Sequence, residues 1–334
     1  MTTAPLAARR LGGALAAYYA VFVLVVTLHP FVFRAPRPPD PFLLAGPFDL
    51  VANVALFVPL GFLLRLARSA APRWELVLLG TGLSVVVELA QLFEPSRFSA
   101  AADVWANGFG AALGVLVHDG LARRLRAPDD VTRRLALELP LVALLYLALP
   151  LAWLDALTSA GRATGGLPLL LLGLFGASVL ASVHAAHLSP WGMAGRGATT
   201  AVAGAWFVVA TLPAWRAEPL PLLVQLLLVA LFAWWRAGRL EPVGGERRWE
   251  GRALLRAAPY YGAYLLLLPF GAPAGTGPLH ERLGILHAAE GVAAFTLLGY
   301  LVAEARGRRE HRWPRGVAPA FPLAAGAVVL GRVL

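Results

Sequence analysis

Cysteine and lysine are both absent from this sequence. Without cysteine there is no disulfide, no thiolate metal site and no cysteine nucleophile; without lysine, each of the 29 basic residues is an arginine. Charge is scarce as well, since 14% of residues are charged and 58% hydrophobic, against about 25% and 45–50% in soluble globular chains. No Gly-x-Ser-x-Gly elbow, phosphate-cradling Walker loop, dinucleotide fingerprint or His-Glu-x-x-His zinc motif occurs. The net charge of +10 does not imply nucleic acid as a partner, because the arginines fall in short gaps between apolar runs, where they serve membrane orientation.

What the chain has instead is apolar sequence in span-sized lengths. Its mean hydropathy is +0.67. Predominantly apolar runs fall near 11–33, 48–66, 74–93, 100–118, 135–154, 167–188, 198–213, 219–235, 253–270, 284–303 and 317–334, each close to the roughly 20 residues that cross a bilayer core. The expected fold is all-α, a polytopic transmembrane helical bundle of about eleven spans. With Arg9 and Arg10 inside, 22 of the 29 arginines fall on the cytoplasmic side. That asymmetry predicts a cytoplasmic N-terminus in a bacterial cytoplasmic (inner) membrane. The run after Arg9-Arg10 reaches full span length without a small-x-small cleavage site, so it reads as an uncleaved first span rather than a signal peptide.

The expected division is a four-helix transmembrane module over 1–126 and additional transmembrane helices over 127–334. An internal echo links the two. Tyr18-Tyr19 and Leu28-His29-Pro30-Phe31 precede Asn53-Val-Ala-Leu-Phe57 and Gly61; Tyr260-Tyr261 and Leu268-Pro269-Phe270 precede Gly291-Val-Ala-Ala-Phe295 and Gly299. This order and spacing suggest a degenerate repeat of the first two spans at 255–304, with His287 in the place of Asp49 and the other acids of the first copy lost.

Polar side chains are costly at membrane depth, so their placement is informative. Asp49 and Asn53 stand at i and i+4 on the second span, Glu88 and Gln91 at i and i+3 near the end of the third, and Asp103 and Asn107 at i and i+4 where the fourth begins. Arg97 lies in the short loop between the third and fourth. An N-in topology sets all three pairs at the extracytoplasmic ends of their helices, with Asn53, Glu88 and Asn107 on the order of one to two turns below the interface. Lipid cannot hydrogen-bond them there, so they should face one another. Three ionised acids beside Arg97 would leave two negative charges in excess. Either one carboxyl keeps a proton or a divalent cation binds; no other cofactor and no dedicated metal site is expected. The cluster is then either an interhelical clamp or an outward-opening site for a polar or anionic headgroup, with Arg97 as its fork. Gly110 and Gly114 form a small-residue packing face, Gly61 matches it on the second span, and Pro59 should bend that span.

These residues also carry a resemblance. Phe48-Asp49-Leu-Val-Ala-Asn53-Val-Ala-Leu-Phe57-Val-Pro59-Leu-Gly61-Phe, Glu88-Leu-Ala-Gln91-Leu-Phe, Pro95-Ser-Arg97, and Ala102-Asp103-Val-Trp-Ala-Asn107-Gly-Phe-Gly110-Ala-Ala-Leu-Gly114 resemble the signature of VanZ-like membrane proteins over about residues 18–120. That family is named for a factor of low-level resistance to the glycopeptide antibiotic teicoplanin. The resemblance implies a four-span module at the cell-envelope side, with membrane lipid, a lipid-linked cell-wall precursor or a glycopeptide as partner. Spans beyond about 135 depart from the minimal layout.

Other candidates are weaker. His184 and His187 sit three apart without a nearby carboxylate, as packing residues would. His280-Glu281 and His287 with Glu290 fall on the tenth span. Ionisable groups deep in the later spans are not evident. Three functions therefore stand: a non-catalytic envelope binder, an intramembrane hydrolase or transferase on a phosphorylated lipid with Glu88 or Asp103 as acid or base, and a transporter.

Overall fold

A computed structural model describes residues 4–35, 46–94, 99–124, 140–158, 166–187, 195–239, 249–268 and 278–305. Among them are ten α-helices, one 3-10 helix and no strand. The chain divides into two compact units, Met1–Leu139 and Pro140–Leu334.

The first unit holds α1 (Ala4–Leu28), α2 (Pro47–Ala67), α3 (Arg73–Gln91) and α4 (Ala101–Arg124). Pro47 opens α2 behind Gly46, in the first turn where its missing N–H costs nothing. The α2 and α4 axes approach closely because neither carries bulk at the crossing. A Cβ on Gly110 would strike the Val54 carbonyl oxygen, one on Gly114 that of Val58, and one on Gly61 that of Ala111. α2 continues through Pro59. Phe57, Leu60 and Leu63 of α2 fill the interior with Tyr19 and Val23 of α1, Leu76 of α3 and Val115 of α4.

The second unit holds α5 (Pro140–Thr158), α6 (Leu167–His187), α7 (Arg196–Ala210), a 3-10 turn (Leu212–Arg216), α8 (Pro219–Ala237), α9 (Trp249–Leu267) and α10 (Pro278–Ala305). Its center is α5 and α6, which are buried on most of their surface; α10 packs on α5, and α8 and α9 pack on α6. The expected span 198–213 is interrupted. Pro213 cannot donate to the carbonyl of Val209, which instead accepts the Trp153 indole N–H at 2.7 Å, and the chain tightens into the 3-10 turn. At about 1.5 Å per residue, α7 alone falls short of a bilayer core of roughly 30 Å. The expected span 317–334 lies outside the described residues.

Among the described residues, seven helices, α1, α2, α3, α5, α6, α8 and α10, are long and apolar enough to cross a membrane. Their outward faces agree with that. Trp105, Phe109, Leu116, Leu78, Val86 and Leu89 of the first unit are exposed, an apolar surface that lipid covers and water does not tolerate.

Candidate functional site

In the first unit, the end formed by the start of α2 and α4 and the close of α1 and α3 gathers the polar residues singled out from sequence. The amide of Asn53 donates from α2 to the Asp103 carboxylate on α4 at 2.8 Å. Asp49, one turn earlier on α2, and Glu88 both lie close enough to Asp103 to repel it. Asp49, Asn53 and Asp103 are half-buried.

Glu88 has a different task. Its carboxylate accepts the Ala100 backbone N–H at 2.9 Å and a hydrogen bond from the Ser99 side chain. A carboxylate on α3 thus satisfies a donor that the start of α4 leaves open, where the helix dipole favours negative charge. Gln91 donates to the Thr27 carbonyl at the close of α1, 3.0 Å away, and Asn107 donates to the Ser84 hydroxyl at 2.8 Å. Arg97 lies outside the described residues.

The cluster therefore has two parts. Glu88, Gln91 and Asn107 are buried and committed to bonds that tie helices together. The Asp49, Asn53 and Asp103 edge remains half-open. Among the described residues, no group of three or more His, Asp or Glu side chains converges as metal ligands do.

Sequence reasoning missed three features. Glu94, almost fully buried, accepts the Val32 N–H at 2.7 Å and so anchors the segment leaving α1. At the opposite end of the same helices, Asp119 accepts from Arg65 at 2.8 Å and from Arg73 at 2.6 Å, while His118 beside it stacks edge-on against Phe62. The available signal was an acid at the far end of α4 facing the arginines of the α2–α3 turn.

The third lies in the second unit, where the sequence offered His287 with Glu290 only as a weak candidate and gave Asp155 no role. Asp155 and Glu290 are fully buried there. Glu290 accepts from the Tyr264 hydroxyl at 3.0 Å and the Thr158 hydroxyl at 3.3 Å, and pairs with His287 Nδ1 at 3.1 Å. Three helices, α5, α9 and α10, meet at this carboxylate. Among the weaker candidates, buried His184 pairs with Thr199 at 2.8 Å; the side chains of His187, His280 and Glu281 lie outside the described residues.

Fold and site together define an all-helical, multi-pass membrane protein whose first unit joins its helices through polar residues at both ends. Residues 14–122, about a third of the chain, match the model of the VanZ/LLP1 family. Neither the curated proteins nor the solved structures contain a match to the chain.

Proposed function

We propose that the protein is a non-catalytic factor of a bacterial cytoplasmic membrane, acting at the cell envelope. Its ligand is a polar headgroup, a lipid-linked cell-wall precursor or a glycopeptide, bound at the Asp49, Asn53 and Asp103 edge. The observation that carries this reading is the contrast within the cluster: Glu88, Gln91 and Asn107 are buried, while the Asn53–Asp103 pair and Asp49, one turn from Asn53, stay partly exposed. Arg97 or a divalent cation is the expected neutralising charge. The same contrast argues against Glu88 as a general acid or base in a phosphorylated-lipid hydrolase or transferase, because its carboxylate already serves the start of α4. The test is thermal stabilisation of the full chain in nanodiscs by teicoplanin, and by undecaprenyl-linked precursor. Binding of either without turnover, lost in Asp49→Asn/Asp103→Asn, supports the reading; precursor cleavage, or no response to either ligand, sinks it.

We also read α9 and α10 as a diverged copy of α1 and α2. Pairing Asn53 with Gly291 pairs Leu56 with Ala294, and Tyr18-Tyr19 match Tyr260-Tyr261 at an offset four residues longer. Tyr19 and Tyr261 both donate to the carbonyl at that matched position.

A second function, transport, is favoured by one observation: the Glu290 network, a fully buried carboxylate shared by three helices of the second unit. Buried ionisable groups in spanning helices mark ion pathways. Proton flux into proteoliposomes that is abolished by Glu290→Gln would carry that function; flux indifferent to the substitution would dismiss it.

A further inference from the structure

At the end of the first unit opposite the Asp49 edge, α1 and α2 meet closely along one line and part along another. A Cβ on Gly12 would come within 3.1 Å of the Ala67 backbone nitrogen, whereas one on Gly13 would meet nothing within 4 Å. The gap continues along α1 at Ala17 and is walled by Leu60 and Leu64 of α2 and Leu79 of α3, giving an open cleft of about 340 Å³. That volume lies at the low end of the roughly 300–1,000 Å³ of small-molecule sites. Its wall is hydrocarbon apart from Arg68. A cleft of this kind in a membrane-spanning bundle does not hold water, since it offers water almost no polar partner.

Charge decides what fills it. Arg68 borders the cleft with more than half of its side chain exposed, and among the described residues only its Nη1 is engaged, on Glu75 at 3.1 Å. Arg65 and Arg73 share Asp119. Three arginines against two carboxylates leave this end positive, and exposed Arg9 lies one turn before Gly13 on α1. A guanidinium with free donors matches a phosphate geometrically as well as electrostatically.

We propose that this cleft binds an anionic glycerophospholipid, with one acyl chain between α1, α2 and α3 and its phosphate on Arg68. The site is separate from the Asp49 edge, so the two readings stand or fall apart.

The experiment uses the delipidated full chain in detergent, with phosphatidylglycerol or phosphatidylcholine added and the bound lipid read by native mass spectrometry. The wild type should hold phosphatidylglycerol on the order of tenfold more tightly than phosphatidylcholine. Arg68→Gln should erase that preference, and Leu79→Trp, which fills the cleft from its exposed rim, should displace both lipids. Leu78→Trp, the same change at an exposed neighbour outside the cleft, should leave binding as in the wild type and so controls for misfolding. Equal retention of the two lipids by the wild type, or full retention by Leu79→Trp, overturns the proposal. Two further results would overturn it: inorganic phosphate displacing the lipid, which makes Arg68 a bare anion site, and Leu79→Trp dissociating a dimer without lipid loss, which makes the cleft an interface between copies.

Discussion

The hydroxyl of Tyr19 on α1 donates to the carbonyl oxygen of Leu56 on α2 at 3.0 Å, in a fully buried position. That carbonyl belongs to a continuous helix, so the tyrosine adds a second bond to an acceptor with a lone pair to spare. Tyr19→Phe should lower stability by about 1 kcal/mol, the net worth of one such bond. Tyr261→Phe, which removes the bond to Ala294, should cost a similar amount. Thermal unfolding of the two single variants checks this, and a loss well above it in only one of them would separate the two helix pairs in kind.

Gly110 and Gly114 of α4 should be far less replaceable than glycines facing open space. Gly114→Val puts side-chain atoms into the Val58 carbonyl, forcing α2 and α4 apart at about 1–3 kcal/mol or more. Gly82→Ala meets nothing within 4 Å and should be neutral or slightly stabilising, as alanine is the better helix former. Folded yield and melting temperature of the two variants decide it.

Asn53 and Asp103 form a pair whose polarity has a direction. Asn53→Asp sets a third carboxylate beside Asp103 and Asp49, which should destabilise the fold and lower expression. Adding Asp103→Asn should recover most of the loss, because amide and carboxylate have only exchanged helices. A double-mutant cycle in thermal stability measures this coupling; additive losses would mean that the 2.8 Å contact carries no energy.

The two ion-pair systems at the opposite end should differ in worth. Asp119 is buried between Arg65 and Arg73, so Asp119→Asn should cost roughly 1.5–3 kcal/mol, the range for charge-assisted bonds. Glu75 and Arg68 are both largely exposed, and Glu75→Gln should cost less than about 1 kcal/mol. Melting curves at low and high salt separate them, since only the Glu75 pair is well screened.

In the second unit, Glu290→Leu would strand the Tyr264 hydroxyl and take the partner from His287, while the Thr158 hydroxyl keeps the Leu154 carbonyl at 2.9 Å. One stranded donor at about 1–3 kcal/mol, with the lost His287 contact, should lower the yield of folded protein. Glu290→Gln keeps one acceptor oxygen and should fold with an intermediate loss, read by size-exclusion homogeneity and melting temperature.

The sequence by itself determined the helical, membrane-embedded character of the chain and the end of the first unit to which its polar residues belong. Span-length apolar runs permit little else, and i, i+3 and i, i+4 spacings fix which side chains share a helix face. The glycine face was legible for the same reason, since Gly110 and Gly114 stand one turn apart. Tertiary structure alone decided the partners. Periodicity places Glu88 on a face, but only the approach of the α4 start to the end of α3 gives its carboxylate the Ala100 N–H and leaves Asp49 and Asp103 half-open. The meeting of Thr158, Tyr264 and Glu290 spans up to 132 residues of chain. No local spacing encodes such a contact, because helix packing, and not the order of residues along any one helix, brings those groups within hydrogen-bond reach.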